Sequence, residues 1–500
     1  MIQIFKKLIL LLSAEERKNM YLLLLMILIM ALLDMIGVAS ILPFMAVLTN
    51  PDIINTNLFL KGLYQSSSIF GVENNQQFLF VLGILVLLLL VISLSFKAIT
   101  IYVQVRFVQM RQYSIGKRLV EGYLQQPYSW FLGRHSANLG KTILSEVEQV
   151  VGGGLLQFMN LIATGVVAFA IVTLLIIIDP KLAFLVGLTL CLAYGLIFNF
   201  TRKYLKRNGQ ERLENNELRF TAVSEAFSAA KEVKVGGMEQ IYTRRFSHPA
   251  QIVAQNLASA ASISQLPRFF LEAVAFGGIL LLSLYMMGIS GSLNSSLPII
   301  SLYVFAGYRL MPALQQIYAS FTQLTFVGPS LNKLYDDIKS LKAFNEDQNQ
   351  EVFSLNKQIS LNKIFYNYPN SSRASLNDIN LTIPANSTVG LVGATGSGKT
   401  TTVDIILGLL KPQKGTLEVD GKVITKQNSR SWQKLIGYVP QHIYLADNSV
   451  LTNIAFGVDP RDIDQDSVEK ASKIANLHNF VINELPNQYH TTIGERGVRL

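Results

Sequence analysis

A short glycine-rich segment near residue 395 of the 500-residue chain has the composition of a phosphate-binding loop. It matches the pattern G-x-x-x-x-G-K-[ST] at every fixed position. In such a loop the backbone N–H groups surround the phosphates, the lysine reaches the β and γ oxygens, and the threonine hydroxyl binds Mg²⁺. We therefore predict an ATP and Mg²⁺ site formed by Gly393, Ala394, Thr395, Gly396, Ser397, Gly398, Lys399 and Thr400.

The residues on either side of this loop favour the same site. Residues 388–392 are a short apolar segment that predicts a strand directly before the loop, and residues 401–410 have a helical pattern directly after it. This order places the positive end of a helix dipole against the phosphates. Thr401, at the start of the predicted helix, is therefore included among the nucleotide-binding residues.

The overall composition indicates a membrane protein. Half of the residues are hydrophobic and only 15% are charged. The net charge of +10 comes from basic residues in the connections between apolar segments. There is no continuous basic run and no aromatic-plus-basic motif, so we predict no nucleic-acid partner. The single cysteine, Cys191, excludes a disulfide framework and a cysteine-based metal site.

The first 19 residues predict a helix that lies on the membrane surface. The apolar stretch at residues 8–12 is too short for a convincing signal peptide, and charged residues follow it where a cleavage site would need small ones. Lys6 and Lys7 suit contact with lipid headgroups at the surface of the bilayer.

Six segments are long and apolar enough to cross a bilayer core, which takes about 20 residues as a helix. Lysine and arginine concentrate in the connections after the second and fourth segments, whereas the other connections hold at most one lysine each. The positive-inside rule therefore places both basic connections, both termini and the ATP site in the cytoplasm, and we predict a multi-pass protein of the bacterial inner membrane. The predicted spans are residues 20–48, 78–103, 155–178, 182–200, 269–289 and 297–324.

The two basic connections are long and helix-patterned. We expect the membrane helices to continue through them as cytoplasmic rods. The turns of these rods, around residues 127–141 and 225–245, are candidate contacts for the nucleotide domain. The simpler alternative to such a contact is a solvated, charged loop. Trp130 and Phe131 argue against it, because large aromatic side chains would be poorly placed on a fully exposed surface.

Beyond a polar linker at residues 339–352, the pattern changes to short strands and turns. Strands followed by helical segments indicate an α/β nucleotide-binding core that leads into a helical subdomain. The predicted strands are residues 359–365, 379–383, 416–420 with a hairpin at Gly421, and 435–439, and residues 467–485 predict a helix.

With six spans followed by one ATPase domain, the chain resembles a half-transporter of the ABC exporter superfamily. Tyr368-Pro369, ahead of the phosphate loop, resembles the A-loop, whose aromatic ring stacks on adenine; a tyrosine in an ordinary turn is the alternative. Residues 436–441 are similar to the Q-loop. That similarity implies that Gln441 binds Mg²⁺ or the attacking water and takes part in catalysis.

The resemblance implies a membrane α-helical fold of the ABC exporter type joined to an α/β P-loop nucleotide-binding domain that is truncated at its C-terminus. Residues 491–497 resemble the X-loop, after which the family has its signature motif, Walker B strand and switch histidine. We expect these beyond Leu500, and we expect a chain ending there to bind ATP weakly and to be inactive as an ATPase. The predicted parts are an interfacial helix (1–19), a transmembrane domain (20–338), a linker (339–352) and a partial nucleotide-binding domain (353–500).

Within the superfamily, the chain is most similar to PglK-type lipid-linked oligosaccharide flippases, through residues 267–272 and 308–312. Charges at membrane depth usually face a cavity or a partner. Arg268 is spaced to pair with Glu272, and Lys97 is near enough to the interface to snorkel, whereas Arg309 has no acidic neighbour in its own span. We predict a substrate cavity suited to a pyrophosphate, formed by Arg268, Arg309, Asp34 and Lys97.

These features predict an ATP-hydrolysing transporter that acts as a homodimer and flips or exports an amphipathic substrate, such as a lipid-linked oligosaccharide. Membrane lipid is the other expected partner. The alternatives are an exporter of another lipid, a peptide or a drug, and a membrane-anchored regulator or channel that depends on ATP.

Overall fold

The protein is represented by a computed structural model that describes residues 1–67, 72, 74–178, 180–290, 297–341, 353–369, 374–441 and 443–494. The chain divides into two compact units, Met1–Glu346 and Asp347–Leu500. The first unit is helical and the second combines strands with helices. Most of the predicted linker at residues 339–352 lies outside the described residues.

The first unit begins with a short helix, α1 (Ile2–Leu11), and a reciprocal cap. The Ser13 side chain accepts a hydrogen bond from the backbone N–H of Glu16, whose carboxylate accepts one from the backbone N–H of Ser13. This capping box starts α2 at Ala14. The helices that follow are α2 (Ala14–Ala39), α3 (Ile41–Thr49), α4 (Ile53–Thr56), α5 (Leu58–Ser67), α6 (Asn75–Leu124), α7 (Tyr128–Phe131), α8 (Ser136–Lys141), α9 (Val147–Val150), α10 (Leu156–Ile178), α11 (Pro180–Ser228), α12 (Ala230–Val235), α13 (Glu239–Ser290) and α14 (Leu297–Ser340).

Four of these helices are much longer than a bilayer is thick. Helix α6 has 50 residues, which corresponds to about 75 Å against a hydrocarbon core of about 30 Å. Helices α11, α13 and α14 have 49, 52 and 44 residues. Their lengths agree with the predicted rods, and the short helices α7, α8 and α12 lie at the predicted turns.

Among the residues that the structure describes, three segments combine the length and the apolar composition needed to cross a membrane: Ala14–Thr49, Asn75–Leu124 and Ser136–Ile178. They contain the first three predicted spans. The fourth, fifth and sixth predicted spans fall on α11, α13 and α14. Many side chains of these three spans lie outside the described residues.

Helices α11 and α14 approach each other so closely at one point that only glycine fits. A Cβ atom added to Gly209 of α11 would overlap the carbonyl oxygen of Phe326 in α14. The contact is therefore between the two backbones, and any larger residue would force the helices apart.

Two π-helical turns interrupt the helical segment between α8 and α10. They span Thr142–Glu146 and Val151–Leu155, with α9 between them. A π turn holds one more residue than an α-helical turn and widens the helix locally. The second turn contains Gly153, where an added Cβ would lie 2.7 Å from the Val327 side chain of α14.

The second unit contains a four-stranded antiparallel sheet in the order β2-β1-β3-β4. Asp420 and Gly421 join the last two strands, and their φ angles of 51° and 84° suit a two-residue hairpin turn. Three of the predicted strands, and the hairpin, are confirmed. The strands are β1 (Gln358–Tyr366), β2 (Leu376–Pro384), β3 (Lys414–Val419) and β4 (Lys422–Val423), and the helices are α15 (Lys399–Ile406), α16 (Ser429–Gln433), α17 (Val450–Ile454), α18 (Gln465–Ile474) and α19 (His478–Glu484).

Two predictions of strands were wrong. Residues 388–392 and 435–439 have no strand assignment, and most of their apolar side chains are exposed, with Val392 98% and Val439 86% accessible. A strand needs a ladder of hydrogen bonds, and no described strand pairs with either segment. The predicted helix at 467–485 is also divided in two, because Asn476 adopts a left-handed φ of 54° between α18 and α19.

Candidate nucleotide-binding and substrate sites

The predicted phosphate loop leads directly into α15, and two of its glycines have backbone angles that favour glycine. Gly396 and Gly398 have φ angles of 82° and 89°. A Cβ on Gly398 would also lie 2.6 Å from the Leu376 side chain and 2.8 Å from the carbonyl oxygen of Ser375. Both the backbone angle and the available space therefore require glycine at position 398.

The functional side chains of the loop stand in the first turn of α15. The Lys399 ammonium donates hydrogen bonds to the carbonyl oxygens of Gly393 and Ala394, at 2.7 and 2.9 Å. Thr400 follows it and is exposed. A lysine held over the loop, together with the unpaired N–H groups at the start of a helix, makes a positive site suited to phosphate oxygens.

The opposite end of α15 is anchored by the last two side chains of α16. The indole N–H of Trp432 donates to the carbonyl oxygen of Ile406 at 2.8 Å. The Gln433 amide donates to the carbonyl oxygens of Leu407 and Gly408, at 3.2 and 3.3 Å. These bonds satisfy carbonyls that a helix end leaves unpaired, so the helix that presents Lys399 is held at its C-terminal end.

Tyr368 lies beside the start of α15. Its hydroxyl oxygen is 3.1 Å from the Oγ1 atom of Thr401, which is buried, and its ring meets the Tyr366 ring edge-on with centroids 5.2 Å apart. The structure therefore brings Tyr368 and Thr401 together at the phosphate loop. Gln441 is exposed at a bend after residues 435–439. Stacking of Tyr368 on adenine and the metal or water contact of Gln441 remain predictions.

Within the first unit, three of the four predicted substrate residues form one charge cluster, which we call the Asp34 cluster: Asp34, Ser93, Lys97 and Arg309. The Asp34 side chain is fully buried. Its Oδ1 atom accepts hydrogen bonds from Ser93 at 2.7 Å and from Arg309 at 3.0 Å, and Oδ2 lies 3.5 Å from the Lys97 ammonium. Two cations thus share one carboxylate, which leaves one net positive charge.

Arg268, the fourth predicted substrate residue, lies apart from this cluster. Its guanidinium pairs with the carboxylate of Glu272 one turn away on α13, at 2.8 Å, and the arginine side chain is 55% exposed. The ion pair between Arg268 and Glu272, which their i,i+4 spacing allowed, is therefore formed. An exposed pair of this kind is worth little energetically and gives no independent sign of a cavity.

Two further ionic networks join the rod portions of the helices. In the first, Glu146 of a π turn accepts hydrogen bonds from Arg212 and Asn216 of α11, at 2.6 and 2.7 Å. Arg212 also donates to the hydroxyl of Ser330 in α14, at 3.2 Å. The network therefore ties together three separate helical segments.

The second network is centred on Glu217 of α11. Its carboxylate accepts hydrogen bonds from Asn138, Lys141 and Lys333, at 2.9, 2.9 and 2.7 Å. Burial alone would raise the pKa of Glu217, but the hydrogen bonds from Lys333 and Lys141 outweigh it and hold that pKa at about 2. Glu217 therefore stays ionised at neutral pH as the link between α8, α11 and α14.

The family follows from comparison with known proteins. A family model described as the ABC transporter transmembrane region matches residues 54–311, just over half of the chain. The chain belongs to the ABC transporter family. A second model, described as ABC transporter, matches residues 376–496 and thus includes the phosphate loop.

Curated relatives in this family carry names of lipid and drug transporters. An ATP-dependent lipid A-core flippase from Ralstonia nicotianae is 25% identical over 395 residues, which is 77% of this chain and 64% of the relative. A multidrug resistance-like ATP-binding protein, MdlA, from Buchnera aphidicola is 23% identical and covers 75% of this chain and 64% of the relative. The chain thus spans a little under two thirds of the length of these relatives.

A solved structure agrees with the fold. A bacterial ABC exporter of the Atm1 family with ATP bound matches 98% of this chain and 82% of its own, with a TM-score of 0.73 at 17% identity. The predicted fold class, an ABC exporter membrane domain joined to a P-loop domain, is confirmed. The family and the apolar helices also make this an integral, multi-pass membrane protein.

Several functional contacts were missed from the sequence. Ser93 is one turn before Lys97 on α6, so a polar i,i+4 pair in an otherwise apolar span was the available signal. The pairing of Asp34 with Arg309 joins residues 275 positions apart and had no local signal. The same holds for Glu146 and Arg212, which lie in different helices.

Proposed function

We propose that the full-length protein is an ATP-driven transporter of the exporter type that flips or exports an amphipathic lipid. The observation that carries this proposal is the phosphate loop on the anchored helix α15, in a chain whose other unit contains helices long and apolar enough to cross a membrane. The relatives named as flippases support movement of a lipid rather than of a soluble molecule. ATP hydrolysis by the full-length protein, coupled to this transport, is part of the proposal.

The residues of the second unit suit ATP with Mg²⁺. The left-handed glycines leave room for phosphates close to the backbone, Lys399 is already held over the loop, and the Thr400 hydroxyl is exposed beside it. Thr400 and Gln441 would hold the Mg²⁺ ion, which supplies charge neutralisation at the phosphates. Tyr368 would contact the adenine ring, and Gln441 would orient the attacking water.

For the substrate, we propose a lipid with an anionic headgroup that approaches the Asp34 cluster. The Lys97 side chain is 36% exposed and that of Arg309 is 14% exposed, while the carboxylate between them is buried. The cations are therefore on the accessible side of the cluster. Guanidinium and ammonium groups bind phosphate oxygens strongly, and the cluster has one positive charge in excess. A lipid-linked oligosaccharide is one lipid of this kind.

We further propose that two copies of the protein act together, in the bacterial inner membrane, with the nucleotide-binding unit in the cytoplasm. The distribution of lysine and arginine between the spans supports this orientation. The domain content of the chain supports the homodimer, because it has one membrane region and one ATP-binding region, as in a half-transporter of the exporter type.

The test compares Lys399→Ala with Lys411→Ala in the full-length protein, reconstituted into proteoliposomes. Lys411 is an exposed lysine of the same unit and serves as the matched control. We expect Lys399→Ala to lower phosphate release from ATP about 100-fold or more, because a preorganised positive group at the transferred phosphate is lost. Translocation of a fluorescent anionic lipid should fall with it. Wild-type rates in Lys399→Ala would contradict the proposal.

A further inference from the structure

We propose that the contact between α11 and α14 contains a carbohydrate-binding surface, which these helices expose when they separate. We call it the hydroxyl seam: Tyr194 on α11, and Tyr318 and Thr322 on α14. The inference rests on the proposed transport function and adds to it a second part of the headgroup, a neutral sugar that the lipid carries besides its anionic group.

The seam consists of buried hydroxyl groups that have no hydrogen-bond partner. The rings of Tyr194 and Tyr318 lie 5.5 Å apart at an angle of 38°. Neither phenol hydroxyl makes a hydrogen bond, and the same is true of the Thr322 hydroxyl one turn after Tyr318. Tyr318 and Thr322 are 3% and 0% exposed, so solvent does not reach them in this arrangement.

Other polar side chains of α14 near the seam do have hydrogen-bond partners. Thr325, three residues further along α14, donates its hydroxyl hydrogen bond to the carbonyl oxygen of Phe321 at 2.8 Å. On another face of α14, the Gln157 amide oxygen accepts hydrogen bonds from Gln316 and Ser320, both at 3.2 Å. A buried hydroxyl without a partner costs about 1–3 kcal/mol. The seam therefore favours an arrangement in which α11 and α14 are apart.

The chemistry of the seam fits a sugar better than a phosphate. Its side chains are neutral and supply hydroxyl groups that both donate and accept hydrogen bonds, as sugar hydroxyls require. A second aromatic pair follows one turn along the same two helices, where the rings of Phe198 and Phe321 have centroids 5.8 Å apart. Flat apolar faces with a few hydroxyls match the alternation of C–H and O–H groups around a sugar ring.

Helices α11 and α14 are held together at one end of their contact, so they can separate at the other end. Towards the C-terminal ends of both helices, the backbones of α11 and α14 touch at Gly209, and Arg212 is hydrogen-bonded to Ser330 one turn further. The hydroxyl seam lies on the N-terminal side of this contact. Separation there would open the seam while the rod portions stay joined.

The experiment uses the full-length protein in phosphatidylethanolamine nanodiscs and measures how added lipid stimulates ATP hydrolysis over each variant's own basal rate. The probes are diglucosyl diacylglycerol and, for comparison, diacylglycerol with the same acyl chains. The variants are Tyr194→Phe with Tyr318→Phe, which removes two hydroxyls but keeps the rings, and Thr322→Val. Tyr21→Phe is the control, since Tyr21 is a 64% exposed tyrosine of α2.

We expect the glucosyl lipid, but not diacylglycerol, to stimulate the wild type and Tyr21→Phe. The seam variants should need about tenfold more glucosyl lipid for half-stimulation, which corresponds to about 1.4 kcal/mol. They should also unfold at a higher temperature, because each loses a buried hydroxyl without a partner. The higher unfolding temperature shows that the variants are folded.

Other results would overturn the inference. These are unchanged half-stimulation in the seam variants, equal stimulation by both lipids, no stimulation of an active wild type, or lower unfolding temperatures. Loss of folding in the double tyrosine variant would count against it as well. Failure of the proposed function is distinct, since the wild type would then show no ATP hydrolysis that depends on Lys399.

Discussion

Replacing Asp34 with asparagine keeps the shape of the side chain and removes the only negative charge of the Asp34 cluster. Arg309 and Lys97 would then face each other without a counter-ion. Each ion pair at a charge separation of about 4 Å is worth about 4 kcal/mol at an effective dielectric constant near 20. Because the carboxylate is fully buried, we expect Asp34→Asn to lower the free energy of unfolding by about 3–5 kcal/mol.

The two cations should contribute unequally, because their exposure differs. The Lys97 side chain is 36% exposed and its ammonium is 3.5 Å from the carboxylate. Solvent screening therefore reduces its share, and Lys97→Gln should cost only about 0–1 kcal/mol. Arg309 is 14% exposed and 3.0 Å away. Arg309→Gln should cost several times more than Lys97→Gln.

A double-mutant cycle on Asp34 and Arg309 measures their coupling directly. The full-length protein is unfolded in mixed detergent micelles, and its unfolding is followed by the loss of the helical circular dichroism signal. The double variant should be less destabilised than the sum of the single variants, with a coupling energy of about 2–3 kcal/mol. Asp52→Asn, at an exposed aspartate of the same unit, is the control. Additive effects, or a loss below about 1 kcal/mol in Asp34→Asn, would refute the proposed pairing.

The phosphate loop and the rod networks give two more predictions. Gly398→Ala should weaken ATP binding at least tenfold by equilibrium titration, because the left-handed backbone and the contact with Leu376 exclude a Cβ; unchanged affinity would contradict this. The pKa of Glu217 is lowered from 4.5 to about 2 in the folded protein. Its ionised carboxylate therefore stabilises the fold above pH 4.5, and this stabilisation is lost as the pH falls from about 4.5 towards 2. Glu217→Gln should flatten the thermal stability profile in that window, whereas Glu214→Gln, an exposed neighbour on α11, should leave it steep.

The sequence was sufficient where the signal is local. Apolar length predicted the first three spans, and the glycine pattern predicted the loop that precedes Lys399. The hairpin was predictable because Asp420 and Gly421 suit only a few turn types. In each of these cases neighbouring residues specify the geometry, so a single segment contains the whole signal.

The errors and omissions involve partners that are distant in sequence. Residues 388–392 and 435–439 have the composition of buried strands, but strand formation depends on a neighbour to pair with, which composition does not reveal. Arg309 lacked a partner in its own span, and only the packing of α2, α6 and α14 shows that Asp34 provides one. The hydroxyl seam was equally invisible, since whether Tyr318 has a hydrogen bond depends on the helix opposite.

The two π turns before α10 affect how this chain aligns with its relatives. Each π turn accommodates one extra residue, so the segment Thr142–Leu155 contains two residues more than an unbroken helix of the same length would need. A relative that lacks one residue in Thr142–Glu146 or Val151–Leu155 can keep every downstream side chain on its present face. A one-residue gap within α10 itself would rotate the rest of that helix by about 100°. Gaps in alignments of this region therefore belong in the π turns.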